Sequence, residues 1–294
     1  MTRARQTRGS AAGQGAGFLR AANLERAAVP HGFGMRGSAE PPGVRRAAQV
    51  HGALVLCADD PAGAALAQPA GETPHPPHRT EAPREADALY ATHPGVTIGV
   101  VTADCVPILL AALAPTAAAP AVAATPTAAP AESQPAAPAV ARTAGVSAVA
   151  AIHAGWRGLA AGVIEAAVAA LRRAAPQSAL CAAIGPHIGP CCYEVDAPVL
   201  TALFDSPAPP SPQLAPPNAL RPTRPGHFLL DLGAVAQHRL TRAGLPAAHI
   251  TTIPHPCTRC APHFASYRRD GPQSGRMLHW IAVPVSPRGG RVAP

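Results

Sequence analysis

Three side chains stand out as able to do chemistry together: His51 in Gln49-Val50-His51-Gly52, Cys105 in Thr102-Ala103-Asp104-Cys105, and His153 in His153-Ala154-Gly155-Trp156-Arg157-Gly158. Each is expected just past or at the end of a short apolar strand. A soft thiolate and two imidazoles are a natural set of donors for zinc or copper. A catalytic zinc takes three protein ligands and leaves a fourth position open, where it acts as a Lewis acid and lowers the pKa of bound water. The same residues also read as a small buried thiol and two hydrogen-bonded histidines, and 13 histidines supply many accidental triples.

Other groups offer less specific chemistry. Pro256-Cys257-Thr258-Arg259-Cys260 matches half of the signature of zinc nucleobase deaminases, but the His-x-Glu that supplies the proton shuttle occurs nowhere in the chain. Cys257 and Cys260 remain as two loop thiols or a redox pair. Cys191 and Cys192 are adjacent, are expected to point in different directions, and are taken as structural. Ser266 to Gly271 and Gly275-Arg276 set arginines beside glycines, as a phosphate or carboxylate contact or as a solvated turn. Trp156-Arg157 offers a stacking surface and a cation beside His153, or a ring filling the core.

The elements that must position these residues follow from apolar patterning. Val96 to Cys105, at the start of a strand region Thr97–Leu110, and Val146 to His153 are short, apolar and β-branched, which predicts buried strands. Gln49 to Leu56 predicts a further strand, and Ala179 to Ile184 another. Leu159 to Leu171 places Val163, Ile164, Ala167, Val168 and Leu171 at helical spacing, predicting one amphipathic helix. Phe228 is expected to start a helix that runs to about Ala243 and stops at Gly244. From 113 to 141 the sequence is Ala and Pro with a single acidic residue, Glu132. Proline recurs there too often for helix or strand, predicting a looped-out insertion whose closure entropy grows only logarithmically with length.

Composition bounds the class. The 294 residues suffice for a sizeable core. All 24 basic residues are arginines, scattered without a dense stripe or interleaved aromatics, so the net charge of +8 does not point to nucleic acid. Seven cysteines lack the spacing of a small disulfide framework, which fits a reducing compartment and a cytoplasmic location. No apolar run approaches the roughly 20 residues that span a bilayer. Residues 1–20 are expected as a disordered tail, 21–285 as the domain and 286–294 as a second tail.

Taken together, His31-Gly32-Phe33, Gln49 to Gly52, Thr102 to Pro107, His153 to Gly158, Ile184-Gly185-Pro186, Gly189 to Val195, Cys257-Thr258 and Phe264 to Arg276 resemble, in order, the multicopper polyphenol oxidase or laccase-domain family. That family is also known as the peptidoglycan editing factor family and includes purine nucleoside phosphorylases. The resemblance implies an α/β fold, a single layered domain of mixed β-sheets flanked by helices. It implies zinc on His51, Cys105 and His153, with copper as the alternative. It further implies phosphorolysis of adenosine, inosine and methylthioadenosine to free base and ribose 1-phosphate, with adenosine deamination as a side activity. Cys105, His153 and Arg268 would then be catalytic, and Arg36 and Arg157 would contact substrate. The implied ligands are a purine nucleoside and phosphate, with no nucleic acid or membrane partner, and a homodimer is one assembly left open. Copper-dependent phenol oxidation and editing of peptidoglycan precursors are the competing activities. One departure from the family pattern is the stretch from Arg36 to Gln49, which is too short to hold the Ser-Leu-Asn element and the Asn-Arg pair usual there.

Overall fold

A computed structural model describes residues 17–59, 84–115, 145–204 and 216–285. Most of the Ala/Pro tract expected at 113–141, and the tail expected from 286, lie outside these residues.

Alternation of side chains along two central strands sets the architecture. Strand β5 (Val106–Leu113) is buried along its whole length, and β6 (Val146–Ala154) is buried from Ala148 onward. The two pair antiparallel, with Ile108 opposite Ile152 and Leu110 opposite Ala150. Neighbouring side chains leave the sheet on opposite faces. Ile108, Leu110, Ala150 and Ile152 therefore join one core, and Leu109, Ala111, Val149 and Ala151 join another. Strands buried on both faces read as continuous apolar runs, which is how the sequence presents them.

Around this pair runs a six-stranded mixed sheet. Its order is β11 (Ile250–Thr252), β7 (Ala179–Ile184), β5, β6, β3 (Ala88–Ala91), β2 (Val55–Cys57). The first core lies under helices α2 (Trp156–Ala161), α3 (Val163–Ala174) and α5 (Leu232–Arg242). The second lies under a three-stranded antiparallel sheet of β1 (His31–Phe33), β12 (Met277–Ala282) and β4 (Thr97–Thr102), with the short helix α1 (Ala22–Arg26) beside it. A third small sheet joins β8 (Glu194–Asp196), β10 (His227–Leu230) and β9 (Leu220–Pro222), and α4 (Ala197–Phe204) follows β8. The layered α/β architecture of mixed sheets flanked by helices is as expected.

Three local expectations are corrected. The strand expected at Gln49 to Leu56 is confined to Val55–Cys57, and His51 lies in the loop before it with φ 62°. Gly162, at φ 87°, divides the helix expected over Leu159 to Leu171 into α2 and α3, because a left-handed residue cannot continue either helix. Phe228 to Leu230 is strand, and α5 starts only after Asp231, whose carboxylate accepts the Ala234 N–H at 2.9 Å as an N-cap.

The strand region from Thr97 to Leu110 is also two elements in two different sheets. β4 pairs with β12, whereas β5 pairs with β6 and β7. The corner between them is Ala103-Asp104-Cys105, and Asp104 takes φ 88° to turn it. Cys105 therefore sits where the two sheets meet.

Candidate active site

The donor atoms of His51, Cys105 and His153 lie within 4.8 Å of one another. They come from the 49–52 loop, the β4–β5 corner and the penultimate residue of β6. His51 faces solvent, Cys105 is half-buried and His153 is 3% exposed. The two imidazoles meet edge to face, with ring centroids 4.8 Å apart.

One carboxylate organises both histidines. Asp87, fully buried just before β3, accepts hydrogen bonds from the backbone N–H groups of Val50 at 3.2 Å, His51 at 2.9 Å and Gly52 at 2.6 Å. It also pairs with His153 Nδ1 at 2.8 Å. An acceptor on Nδ1 fixes the ring's orientation and turns Nε2 toward Cys105. Burial pushes the Asp87 carboxyl up, but the His153 and loop hydrogen bonds outweigh it and hold it below the usual carboxylate range. Gln49 ties the other side of the loop to β4: its side chain donates to the Val101 carbonyl at 2.8 Å and accepts the Val101 N–H at 2.7 Å.

Cys105 and His153 share a proton economy suited to a thiolate. Burial raises the Cys105 thiol, yet hydrogen bonds from His153 and His51 outweigh this and bring it down to about 6. Burial lowers His153, and its bonds to Asp87 and Cys105 more than reverse this, raising it to about 9. A site that stabilises a thiolate beside two nitrogen donors is already arranged for a cation. Gly155 leaves the room it needs: a Cβ there would stand 3.0 Å from Cys105 Sγ and 3.1 Å from His51 Cδ2.

A second buried carboxylate braces the corner. Asp104 accepts from Thr258 Oγ1 at 2.6 Å, Ser266 Oγ at 3.0 Å and the Arg268 N–H at 2.7 Å. It thus joins the Cys105 turn to the segment that carries the arginines. Asp87 and Asp104 were not singled out from the sequence as site residues. The available signal was a lone carboxylate embedded in an otherwise apolar run, which must find donors if it is buried.

The three donors open onto a cavity of about 540 Å³. Its walls include Trp156, Tyr193 and Tyr267, together with Arg157, Arg268 and Arg276. The Arg157 guanidinium lies over the Trp156 ring at 4.3 Å, and that of Arg268 over the Tyr193 ring at 5.1 Å. Arg268 also donates to the Glu194 carbonyl at 3.1 Å. Of the arginines expected at the substrate, Arg157 and Arg268 line this cavity and Arg36 does not. Arg36 is engaged by Asp270 at 2.7 Å, and Arg276 lines the cavity instead. The shortened stretch before Gln49 contributes Ala47 and Gln49 to the wall.

The adjacent cysteines also depart from expectation. Cys191 and Cys192 do not point apart: their sulfurs are 3.7 Å from each other, and both lie within 4.8 Å of those of Cys257 and Cys260. The pair sits in a turn rather than a strand, so successive side chains need not alternate between faces.

Comparison with known proteins places this geometry. The family described as multi-copper polyphenol oxidoreductase laccase matches residues 33–124 and 138–284. Purine nucleoside phosphorylase YlmD of Geobacillus stearothermophilus is 36% identical over 200 residues, covering 66% of this chain and 59% of that protein. A purine nucleoside phosphorylase of Xylella fastidiosa (strain Temecula1) is 35% identical over 67% of this chain and 61% of its own length. Adenosine deaminase RL5, from an unknown prokaryotic organism, is 34% identical over 66% of this chain and 61% of its own length. The chain thus spans about three fifths of the length of these relatives. The crystal structure of YlmD from Geobacillus stearothermophilus superposes with a TM-score of 0.62 at 25% identity, covering 93% of this chain and 98% of that one. The chain belongs to the multi-copper polyphenol oxidoreductase laccase family.

Proposed function

We propose that the protein is a zinc-dependent purine nucleoside phosphorylase, acting in the cytoplasm on adenosine, inosine or methylthioadenosine. The observation that carries this reading is the convergence of one thiol and two imidazoles on a cavity whose wall holds three arginines and three aromatic rings. The names of the relatives support it from outside the geometry.

The donor set fits a zinc ion, which His51, Cys105 and His153 would hold at the edge of the cavity. When bound, zinc supplies a Lewis acid at the cavity floor. The chain's own residues supply the rest. Arg157, Arg268 and Arg276 bind phosphate and hold it near the ribose, since guanidinium forks match its oxygens. Trp156 and Tyr193 offer flat faces for the purine, each backed by a guanidinium. Asp87 keeps one His153 proton on Nδ1, so that Nε2 is the nitrogen that would give up its proton and serve as a lone-pair donor to a metal. Phosphorolysis forms a bond from a phosphate oxygen to C1′ of the ribose and breaks the bond from C1′ to the purine nitrogen. The proton that hydrogen phosphate gives up leaves on the purine nitrogen, and the products are free base and ribose 1-phosphate. The cavity volume falls within the range usual for small-molecule sites.

Adenosine deamination is the second reading, favoured by the name of RL5 and by the same single-cation geometry. It releases ammonia without phosphate and is separable on that basis. The deciding experiment incubates zinc-loaded protein with adenosine and phosphate and measures adenine and ribose 1-phosphate. Phosphate-dependent adenine is expected, with both turnover and the zinc of the His51, Cys105 and His153 site lost in Cys105→Ala. Inosine and ammonia without adenine would favour deamination, and no turnover of either kind with zinc bound would overturn both readings.

A further inference from the structure

We propose that Cys191, Cys192, Cys257 and Cys260 form a second metal site, a closed tetrathiolate that holds one zinc ion. None of these residues belongs to the His51, Cys105 and His153 set, and the site stands whether or not the first binds zinc.

The sulfur positions carry the proposal. Cys191 and Cys192 are 3.7 Å apart, Cys191 and Cys260 are 3.9 Å apart, and Cys192 and Cys260 are 3.4 Å apart. Cys257 completes the group, with all four sulfurs within 4.8 Å of one another. A tetrahedron of thiolates at the usual zinc–sulfur bond length of about 2.3 Å has sulfur–sulfur edges of about 3.8 Å. A disulfide would need about 2.05 Å between two of them. The observed separations bracket the tetrahedral edge and lie far from the covalent one.

The backbone around the sulfurs is shaped for such a group. Cys257-Thr258-Arg259-Cys260 closes a tight turn, with the Cys260 and Ala261 N–H groups both on the Cys257 carbonyl at 3.0 Å. The Gly189 N–H donates to Cys257 Sγ at 3.2 Å, and Arg259 donates to Cys192 Sγ at 3.5 Å. Amide and guanidinium donors onto sulfur are what a thiolate cluster requires, because they offset its charge. Gly189 also lets the two loops approach, since a Cβ there would stand 3.2 Å from Cys257 Cβ and 3.5 Å from Cys191 Sγ. Loading is balanced by proton release: four thiols bind one zinc ion and give up four protons, with no change of oxidation state.

Four protein ligands leave no open position, so this zinc would be structural. It would join the 189–193 loop to the 257–261 loop. Tyr193, next to Cys192, lines the cavity, and Thr258, next to Cys257, hydrogen-bonds Asp104. The second ion would fix one wall of the cavity without touching substrate.

The test uses the full chain, purified under reducing conditions with zinc present and then freed of unbound metal. The deciding variant is His51→Ala/Cys105→Ser, which leaves the four cysteines intact. It should retain one equivalent of zinc and, with cobalt substituted, show strong sulfur-to-cobalt charge transfer. Adding Cys257→Ser/Cys260→Ser to it should abolish both signals, while Cys257→Ser/Cys260→Ser alone should keep the zinc of the first site. If the His51→Ala/Cys105→Ser protein is folded by circular dichroism and holds no zinc, or if alkylation and mass measurement find these cysteines as disulfides, the proposal is overturned. A wild-type protein with one equivalent, all of it surviving His51→Ala/Cys105→Ser, would support the tetrathiolate and reject the first site instead.

Discussion

At the scale of single residues, Asp87 is the hinge of the candidate site. It receives three backbone N–H groups of the His51 loop and the ring of His153, so one carboxylate sets both imidazoles. Replacing it by Asn keeps the shape but puts an NH₂ group where only acceptors serve. Asp87→Asn should weaken zinc binding by roughly 10- to 100-fold, the usual cost of losing a group that orients a ligand. It should also cost about 3 kcal/mol of stability, since it breaks a buried ion pair. Competitive zinc titration and thermal melts of the metal-free protein would measure the two effects separately. Gly155 offers a contrasting probe. Gly155→Ala presses a methyl group against Cys105 Sγ and His51. It should weaken zinc binding on the order of tenfold, with a smaller effect on the melting temperature than Asp87→Asn. Equal affinity in wild type and Gly155→Ala would show that the two ligands can move aside freely.

At the scale of elements, the site depends on a corner rather than on a strand. β4 and β5 follow each other in sequence but belong to different sheets, and Cys105 lies at their junction. β5 behind it is buried on both sides, with Leu110 on the helix face and Leu109 on the other. Leu110→Ala should cost about 2–5 kcal/mol through the cavity it leaves. Its partners across the sheet are Ala150 and Ala182, so zinc stoichiometry in the folded protein should remain that of wild type. A melt paired with metal analysis checks this, and zinc loss without a fall in stability would contradict the division drawn between core and site. This scale also marks how far the sequence could be read. The apolar runs of β5, β6 and β7 were legible because burial on both faces leaves no other pattern. The helix split at Gly162 and the strand at Phe228 were not, because a left-handed glycine and a short strand held between its hairpin neighbour β9 and the more distant β8 are decided by their partners. Of the candidate residues, His51, Cys105 and His153 were found by type and position. Arg276 was noted beside Gly275 as an anion contact, whereas Asp87 and Asp104 were missed because an isolated carboxylate carries no spacing signal. The gathering of four cysteines from 65 residues or more apart in two loops was equally invisible, since only folding brings those loops together.

At the scale of the whole molecule, buried neutral histidines should govern stability in mild acid. Burial pushes His279 down to about 3, and burial with the neighbouring His255 pushes His187 down to about 4. In the unfolded chain both return to about 6.5. Between these values the unfolded state binds more protons than the folded state, so stability rises with pH across the window and falls as pH drops through it. Each such histidine should cost about 1.4 kcal/mol per pH unit below about 6.5. Melts at intervals from pH 7 to 4.5 should therefore show a steady decline that begins above the titration range of ordinary carboxylates. His279→Gln should flatten the slope by about one proton's worth. An unchanged slope in that variant would assign the decline to other groups.

The unequal exposure of the three donors would also set the route by which an ion held there came and went. His153 and its carboxylate lie at the back, Cys105 stands between, and the imidazole of His51 faces water from a loop pinned at Asp87 and Val101. An arriving cation meets that outer ring before the inner pair, and a chelator must take hold from the same side. The 49–52 loop would thus be the doorway for a metal held there, and its hold on Asp87 would bear on how quickly the ion exchanges, apart from how tightly it binds.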